Sequence, residues 1–239
     1  AGELERLLEA GKGRLFAARQ QRIAPARDDK IIVAWNGLMI SAMAQGFNIL
    51  REPSYLDSAR ETASFILSEL VVDGELMHTW KDGKPRYRAF QDDYACLVNG
   101  LLDLYEASFE VAWLESARAL ADEMSQRFWD PDQGGFFYTE AGEEDLIVRT
   151  KNPYDNATPS GNSIAALALL RLGALLGDPS YQDRAVSTLR MLNELAERSP
   201  TACSQMMCAL DFHEQQPREV AIVGLPCDTV FFIDAVHAR

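Results

Sequence analysis

Three times along the chain, a stretch that is apolar on nearly all sides is followed by a stretch with apolar residues on one face only. A helix that is apolar all round is buried, whereas an amphipathic helix covers a core and faces solvent. The pattern therefore predicts three helical hairpins, each with an inner and an outer helix. The predicted pairs span 35–50 with 55–71, 93–107 with 112–128, and 162–176 with 181–198.

The three pairs are copies of one unit. Twenty residues after Trp35, Asp93 and Gly161 come the aromatic residues Tyr55, Trp113 and Tyr181. The copies are offset by 58 residues (93 − 35) and then 68 residues (161 − 93). These offsets exceed the roughly 34 to 47 residues of common helical repeats. The excess predicts β-hairpins after the outer helices, over 72–88 and 136–149, with Asp82-Gly83 as the turn of the first.

The remaining segments are assigned from the same periodicity. Residues 3–21 read as an amphipathic helix, and 23–30 as a connector. A fourth inner helix is predicted from about Thr201 to Asp211, a short strand over 219–223, and a last helix from about Asp228.

Composition narrows the classes of partner. The 239 residues carry a net charge of −13, which argues against nucleic acid because phosphate binding needs a basic face. No run of 18 apolar residues predicts a membrane span, and the first residues lack the pattern of a signal peptide. The four cysteines show no paired spacing, which favours a reducing cytoplasm and predicts no metal site; no cofactor is expected either.

A candidate site follows from the register of the repeats. The inner helices should begin at the same end of the array, so the segments 35–37, 92–94 and 160–162 should converge. Parallel helix N-termini fed by long loops are a common place for a site.

Several motifs resemble one known family. They are Asp28-Asp29-Lys30, Trp35-Asn36-Gly37-Leu38, Gln91-Asp92-Asp93-Tyr94-Ala95, the segment 156–163, Ser204-Gln205-Met206 and the segment 218–224. In this order they resemble the spermatogenesis-associated, thioredoxin-domain-containing family, over about residues 25–225. The resemblance implies a mainly α fold: an α/α toroid of the six-hairpin glycosidase type with short β-hairpins between helical hairpins.

The resemblance also implies a domain organisation. Residues 1–239 would form one partial toroid, with repeats at 31–90, 91–156 and 157–200 and a partial repeat at 201–239. The N-terminal thioredoxin-like domain of the family is absent from this chain and becomes an expected partner. Because an open toroid exposes inner faces, we also expect self-association.

Two adjacent carboxylates are the first catalytic candidates. Asp92 and Asp93 open a predicted inner helix, and glycoside hydrolysis uses a carboxylic acid together with a second carboxylate. Neighbouring side chains diverge, so the partner would come from Asp155 or Asp29. The alternative reading, which we weigh slightly higher, is a helix cap with a structural ion pair.

Other residues on the predicted face suit a sugar. Trp35 and Tyr94 could stack on a ring, although aromatic residues at helix ends more often fill the core. Asn36, Asn156 and Asn162 could bind hydroxyl groups, or could equally satisfy loop backbone. Ser160 completes this candidate binding set.

Three functions remain open. The first is a carbohydrate-active, hydrolase-like domain with Asp93 as general acid or base, and the second is a non-catalytic binding or scaffold module. The third is a sugar epimerase, which on this scaffold uses histidines near the toroid centre. We disfavour it because His78, His213 and His237 lie outside the predicted inner-helix starts, although His78 could reach inward.

Overall fold

The computed structural model describes residues 2–142, 148–215, 220–224 and 226–237. The chain divides into two compact units, Ala1–Lys30 and Ile31–Arg239. The first unit contains helix α1 (Gly2–Gln20), and no residue of α1 is buried. The helix predicted at 3–21 is therefore confirmed. Whether residues 1–239 form a single toroid domain stays a prediction.

The second unit contains the three predicted helical hairpins, each with both helices in place. Their bounds are α2 (Val33–Leu50) with α3 (Pro53–Glu69), α4 (Gln91–Ser108) with α5 (Val111–Phe128), and α6 (Gly161–Leu176) with α7 (Pro179–Arg198). A 3-10 turn (Pro200–Cys203), α8 (Ser204–Gln215) and α9 (Pro226–His237) follow. The predicted fourth inner helix and last helix are thus also confirmed.

Burial separates the inner from the outer helix in the second and third hairpins, but not in the first, where 5 of 18 residues of α2 and 4 of 17 of α3 are buried. In α4, 13 of 18 residues are buried, whereas in α5 only 5 of 18 are. Helix α4 packs against α2 and α6 on its two sides, and α6 packs in turn against α8. The helices α2, α4, α6 and α8 therefore form a continuous inner layer, as the pattern predicts.

Glycine permits the closest approach in this layer. A Cβ on Gly100 of α4 would lie 2.4 Å from the carbonyl oxygen of Gly37 in α2. A Cβ on Gly37 would lie 2.6 Å from the carbonyl carbon of Cys96. Because backbone atoms cannot yield at these distances, only glycine allows α2 and α4 to meet here.

A small antiparallel sheet lies directly before α2 and α4 in the chain. Strand β3 (Glu75–Lys81) pairs with β1 (Ile31–Ile32), β2 (Val71–Val72) and β4 (Lys84–Arg88). Asp82 and Gly83, both with positive φ, form the predicted turn between β3 and β4. Because β1 runs into α2 and β4 leads to α4, the sheet sits beside the start of both helices.

Two β predictions are wrong for the residues that the structure describes. Within 136–142 and 148–149 the chain forms no strand: an isolated bridge joins Phe136 to Trp129, and the N–H of Tyr138 donates a 2.8 Å bond to the carbonyl of Thr150, while 143–147 lie outside the described residues. Residues 220–223 form no strand, and 219 is not among the described residues. Val220 and Val223 are exposed, so no buried face holds this segment in a sheet.

Candidate functional site

Asp93 links three elements at the start of α4. Its side chain is fully buried, and its Oδ1 accepts a hydrogen bond of 3.0 Å from the backbone N–H of Ala34 at the start of α2. Its Oδ2 accepts a bond of 2.9 Å from the backbone N–H of Phe90, which caps α4. A carboxylate is favoured here because helix N-termini carry partial positive charge.

His78 is the third partner of Asp93. Its Nδ1 lies 2.7 Å from Asp93 Oδ2, and strand β3 delivers its ring to this point. The edge of the ring packs against Phe90, with centroids 5.1 Å apart, and Phe90 stacks on Tyr138 at 4.8 Å. The contact with Asp93 and the packing against Phe90 together restrain the orientation of the imidazole.

Asp92 differs from its neighbour. It is partly buried, and its Oδ1 atom has no hydrogen-bond partner among the described residues. Burial, with a contribution from the charge of Asp93, raises the pKa of Asp92 to about 6, although His78 acts in the opposite direction. Asp92 can therefore gain or lose a proton close to neutral pH.

The start of α6 adjoins the start of α4. The side chain of Gln91 donates a hydrogen bond of 3.1 Å to the carbonyl oxygen of Gly161. A Cβ on Gly161 would lie 2.0 Å from Gln91 Oε1 and 3.1 Å from the Cα of Asp92. With the contact between Asp93 and Ala34, this confirms that the N-termini of α2, α4 and α6 converge.

Two predicted binding residues on α6 have structural contacts. Asn162 is buried and makes two bonds to the backbone of Phe136, accepting from its N–H at 2.7 Å and donating to its carbonyl at 2.9 Å. The hydroxyl of Ser160, also buried, accepts from the N–H of Ser163 and donates to the carbonyl of Asn152. These contacts hold the loop before α6 in place.

The two carboxylates predicted as catalytic partners of Asp92 or Asp93 also have structural contacts. Asp155 accepts hydrogen bonds from the backbone N–H groups of Ser160, at 2.7 Å, and of Gln205 at the start of α8, at 2.8 Å. It therefore joins the loop before α6 to the N-terminus of α8. Asp29 lies in the N-terminal unit, where it pairs with Arg27. Asn156 is exposed, and its N–H bonds to the carbonyl of Thr158.

The aromatic candidates have opposite environments. Trp35 is 61% exposed and directly follows Ala34, the residue that binds Asp93. Tyr94 is buried, and its hydroxyl donates a 2.7 Å bond to Glu123 of α5. The ring of Tyr94 thus belongs to the core, whereas Trp35 faces outward beside the site. The side chain of Asn36 donates to the carbonyl of Ile32.

The sequence analysis allowed that His78 could reach inward, but it did not predict the contact of His78 with Asp93 at the start of α4. The signal was available in part, because β3 belongs to the hairpin that leads into this helix. The objection that no histidine approaches an inner-helix start does not hold for His78.

In the described part of the chain, no three His, Cys, Asp or Glu residues form a metal-binding group. None of the described helices combines the length and apolarity of a membrane span.

Comparison with known sequences gives long but partial matches. The chain is 38% identical to spermatogenesis-associated protein 20 of Homo sapiens over 97% of its own length, and 37% identical to that of Mus musculus. It spans only 31% of the length of these relatives. No family profile matches the chain.

Comparison with solved structures identifies the fold. An α-mannanase from Bacteroides thetaiotaomicron has a TM-score of 0.62 at 14% identity, over 90% of this chain and 58% of the mannanase. Cellobiose 2-epimerase from Spirochaeta thermophila has a TM-score of 0.54 at 17% identity, over 68% of this chain and 43% of the epimerase. Unsaturated glucuronyl hydrolase from a Bacillus species has a TM-score of 0.54 at 20% identity, over 73% of this chain and 50% of the hydrolase. The fold is therefore the α/α toroid of the six-hairpin glycosidase type.

Proposed function

We propose that this domain binds a carbohydrate at the N-terminal ends of α2, α4 and α6, and that Asp92 performs acid–base chemistry on it. One observation carries the proposal: the Asp92 carboxyl has a pKa raised by burial to about 6 and a buried oxygen without a partner among the described residues. A buried carboxylate that only caps a helix has hydrogen-bond partners for its oxygens. A carboxyl group that exchanges protons with a ligand needs an oxygen that the ligand can reach.

In this proposal Asp93 has a different role from the one the sequence suggested. Its oxygens accept two backbone N–H bonds and contact His78, so it positions other groups and does not itself act as acid or base. Trp35 supplies an exposed indole face beside the site, suited to stacking on a sugar ring. Several toroids of similar fold are named for activity on carbohydrates, which supports this ligand class.

Three further proposals concern partners and location. Since the chain spans about a third of its curated relatives, a thioredoxin-like domain in the same parent chain is a proposed partner. Self-association of this chain is proposed from the exposed apolar residues of α2, which include Met39 and Ile49. A cytoplasmic location also stays a proposal, based on the free thiols of Cys96, Cys203 and Cys208.

The test compares two aspartates. The chain is screened against mono- and disaccharides, uronic and N-acetylated sugars included, by calorimetry and by a turnover assay. We expect Asp92→Asn to lower turnover by about 10²- to 10⁴-fold while sugar binding persists, because an amide cannot exchange the proton. The control is Asp183→Asn, which changes an exposed aspartate on α7 and should leave turnover unchanged.

The alternative is a binding module without chemistry. If sugars bind and none is converted, or if only a thioredoxin-like domain binds, the acid–base assignment of Asp92 is refuted and the domain is a scaffold. Equal turnover by the Asp92→Asn variant and the unmodified chain would have the same meaning.

A further inference from the structure

A short segment of chain crosses the starts of two inner helices. Phe136 is held at the start of α6, where the side chain of Asn162 makes two hydrogen bonds to its backbone. Two residues later, the carbonyl oxygen of Tyr138 accepts a 3.1 Å hydrogen bond from the backbone N–H of Gln91, the first residue of α4. The backbone of Tyr138 is therefore fixed at the start of α4, where Asp92 directly follows Gln91.

The ring of Tyr138 lies against the residue that precedes α4. It stacks on Phe90 with ring planes 9° apart and centroids 4.8 Å apart. Burial raises the pKa of the Tyr138 hydroxyl to about 12, and the charges of Asp92 and Asp93 add to the shift. The half-buried phenol is thus protonated at neutral pH, and its hydroxyl lies within the field of both carboxylates.

Tyr138 differs from two other tyrosines whose pKa is raised by burial. The hydroxyl of Tyr94 donates to Glu123 at 2.7 Å, and that of Tyr181 donates to Asp122 at 2.6 Å. Among the residues that the structure describes, none accepts a hydrogen bond from the hydroxyl of Tyr138. A phenol without an acceptor in the protein can donate its hydrogen bond to a ligand.

We propose that Tyr138 is a ligand-binding residue of this site, and that one hydroxyl of a neutral sugar bridges its phenol and the Asp92 carboxylate. This rests on the proposed function, since it needs a sugar at the same face. The bridging group must accept a hydrogen bond from Tyr138 and donate one to Asp92, which is partly exposed. A sugar hydroxyl does both, because its oxygen carries one proton and two lone pairs.

The charges at this face favour a neutral ligand. A ligand carboxylate or phosphate would have no proton to donate to Asp92, and it would lie beside the negative charges of Asp92 and Asp93. A protonated His78 would offset only one of these two charges. Arg88, at the end of β4 that leads to α4, already pairs with Glu75 at 3.1 Å. We therefore expect neutral sugars to bind in preference to uronic acids and sugar phosphates.

The experiment measures affinities by calorimetry at pH 7.5. Glucose, mannose, cellobiose and mannobiose are the neutral probes, and glucuronic acid is the anionic one. Tyr138→Phe deletes the hydroxyl and retains the ring that stacks on Phe90, so it should weaken binding of the neutral sugars by about 10-fold. The matched control is Tyr181→Phe, which removes a hydroxyl on α7 that bonds to Asp122, and it should bind sugars as tightly as the unmodified chain. Glucuronic acid should bind the unmodified chain at least about 10-fold more weakly than glucose.

A second measurement removes hydroxyl groups from the ligand. Monodeoxy analogues of glucose and mannose are titrated into the unmodified chain and into Tyr138→Phe. For the analogue that lacks the bridging hydroxyl, the loss of affinity should be at least about 3-fold smaller in the variant, because one of its hydrogen bonds is already absent there. Equal losses in both chains for every analogue would overturn the bridge.

The outcomes separate this inference from the proposed function. If folded Tyr138→Phe binds neutral sugars as tightly as the unmodified chain does, Tyr138 is not a ligand-binding residue, and the carbohydrate function still stands. If glucuronic acid binds more tightly than glucose, the neutral class is wrong while the carbohydrate function again stands. If no sugar binds the unmodified chain, the proposed function fails and this inference fails with it.

Discussion

The two ends of α4 show how the same side chain can have different roles. Asp92 and Asp103 are eleven residues apart, about three helical turns, so they lie on the same face. Asp103 is buried and accepts hydrogen bonds from Arg171 at 2.7 Å, from Asn99 at 3.2 Å and from the hydroxyl of Ser41. Asp92 has an oxygen without a partner among the described residues.

The neighbouring helix α6 explains this difference. Beside Asp103 it presents Arg171, whose guanidinium also contacts Asn99 and Glu106. Burial lowers the pKa of Arg171, and the carboxylates of Asp103 and Glu106 more than offset it, so the pKa stays above its usual value. Beside Asp92 the same helix presents Gly161, which has no side chain to offer. Asp103, a buried carboxylate paired with a cation, therefore has a structural role. Asp92 has no such cation beside it and keeps its proton to a higher pH than an exposed aspartate does.

The largest change in unfolding free energy is expected at Asp103, the carboxylate that pairs with Arg171. Arg171→Met removes the cation and leaves Asp103 buried among α2, α4 and α6, which should cost about 3 to 5 kcal/mol of unfolding free energy. Urea denaturation measures it. The double variant Arg171→Met/Asp103→Leu should recover most of the loss, because no buried charge remains. In contrast, Arg198→Met at an exposed ion pair should change stability by less than about 1 kcal/mol. A loss below about 1 kcal/mol in Arg171→Met would contradict the structural role.

The contribution of Asp92 to the stability of the fold should depend on pH. The pKa of Asp92 is raised from 3.8 to about 6, so between these values the folded state holds a proton that the unfolded state has lost. The contribution of this group to stability therefore falls as pH rises through that window. Asp92→Asn, which mimics the neutral form, should match the unmodified chain near pH 4 and exceed it at pH 7.5 by at most about 3 kcal/mol. Denaturation at both pH values measures the difference; a variant that is equally stable relative to the unmodified chain at both would refute the raised pKa.

The smallest stability effect is expected at Trp35. Because this side chain is 61% exposed, Trp35→Ala should alter the unfolding free energy by less than about 0.5 kcal/mol. Its sugar affinity should nevertheless fall, by about 10-fold for the loss of one stacking contact. Calorimetry with a bound sugar and denaturation together separate the two effects. Unchanged affinity would remove Trp35 from the site.

The helices were predictable because their signals are local. Buried and amphipathic stretches follow the helical period, and Asp82-Gly83 marks a turn within four residues of chain. The repeat offset further predicted that the inner helices begin at one end, which places Asp92, Asp93 and Trp35 on a common face. The hairpin predicted over 136–149 was wrong in its described residues, because a turn signal alone does not supply a partner strand.

The individual roles within the site were not predictable. Asp93 meets Ala34 from 59 residues away and His78 from 15, while Arg171 meets Asp103 from 68. Tyr94 and Asn162 lie at the predicted face, yet their side chains contact Glu123 and the backbone of Phe136. A periodic pattern assigns a residue to a helix face, but it does not identify the atom that its side chain meets.

By itself, the sequence determined the order of the helices, their inner and outer layers and the end at which their polar residues gather. Only the tertiary structure decided which of two adjacent aspartates is held by backbone N–H groups and which keeps a buried oxygen without a partner among the described residues. The reason is physical: helix formation depends on neighbours within a few residues, whereas the pKa of a carboxyl depends on desolvation and charge within a few ångströms, whatever their distance along the chain.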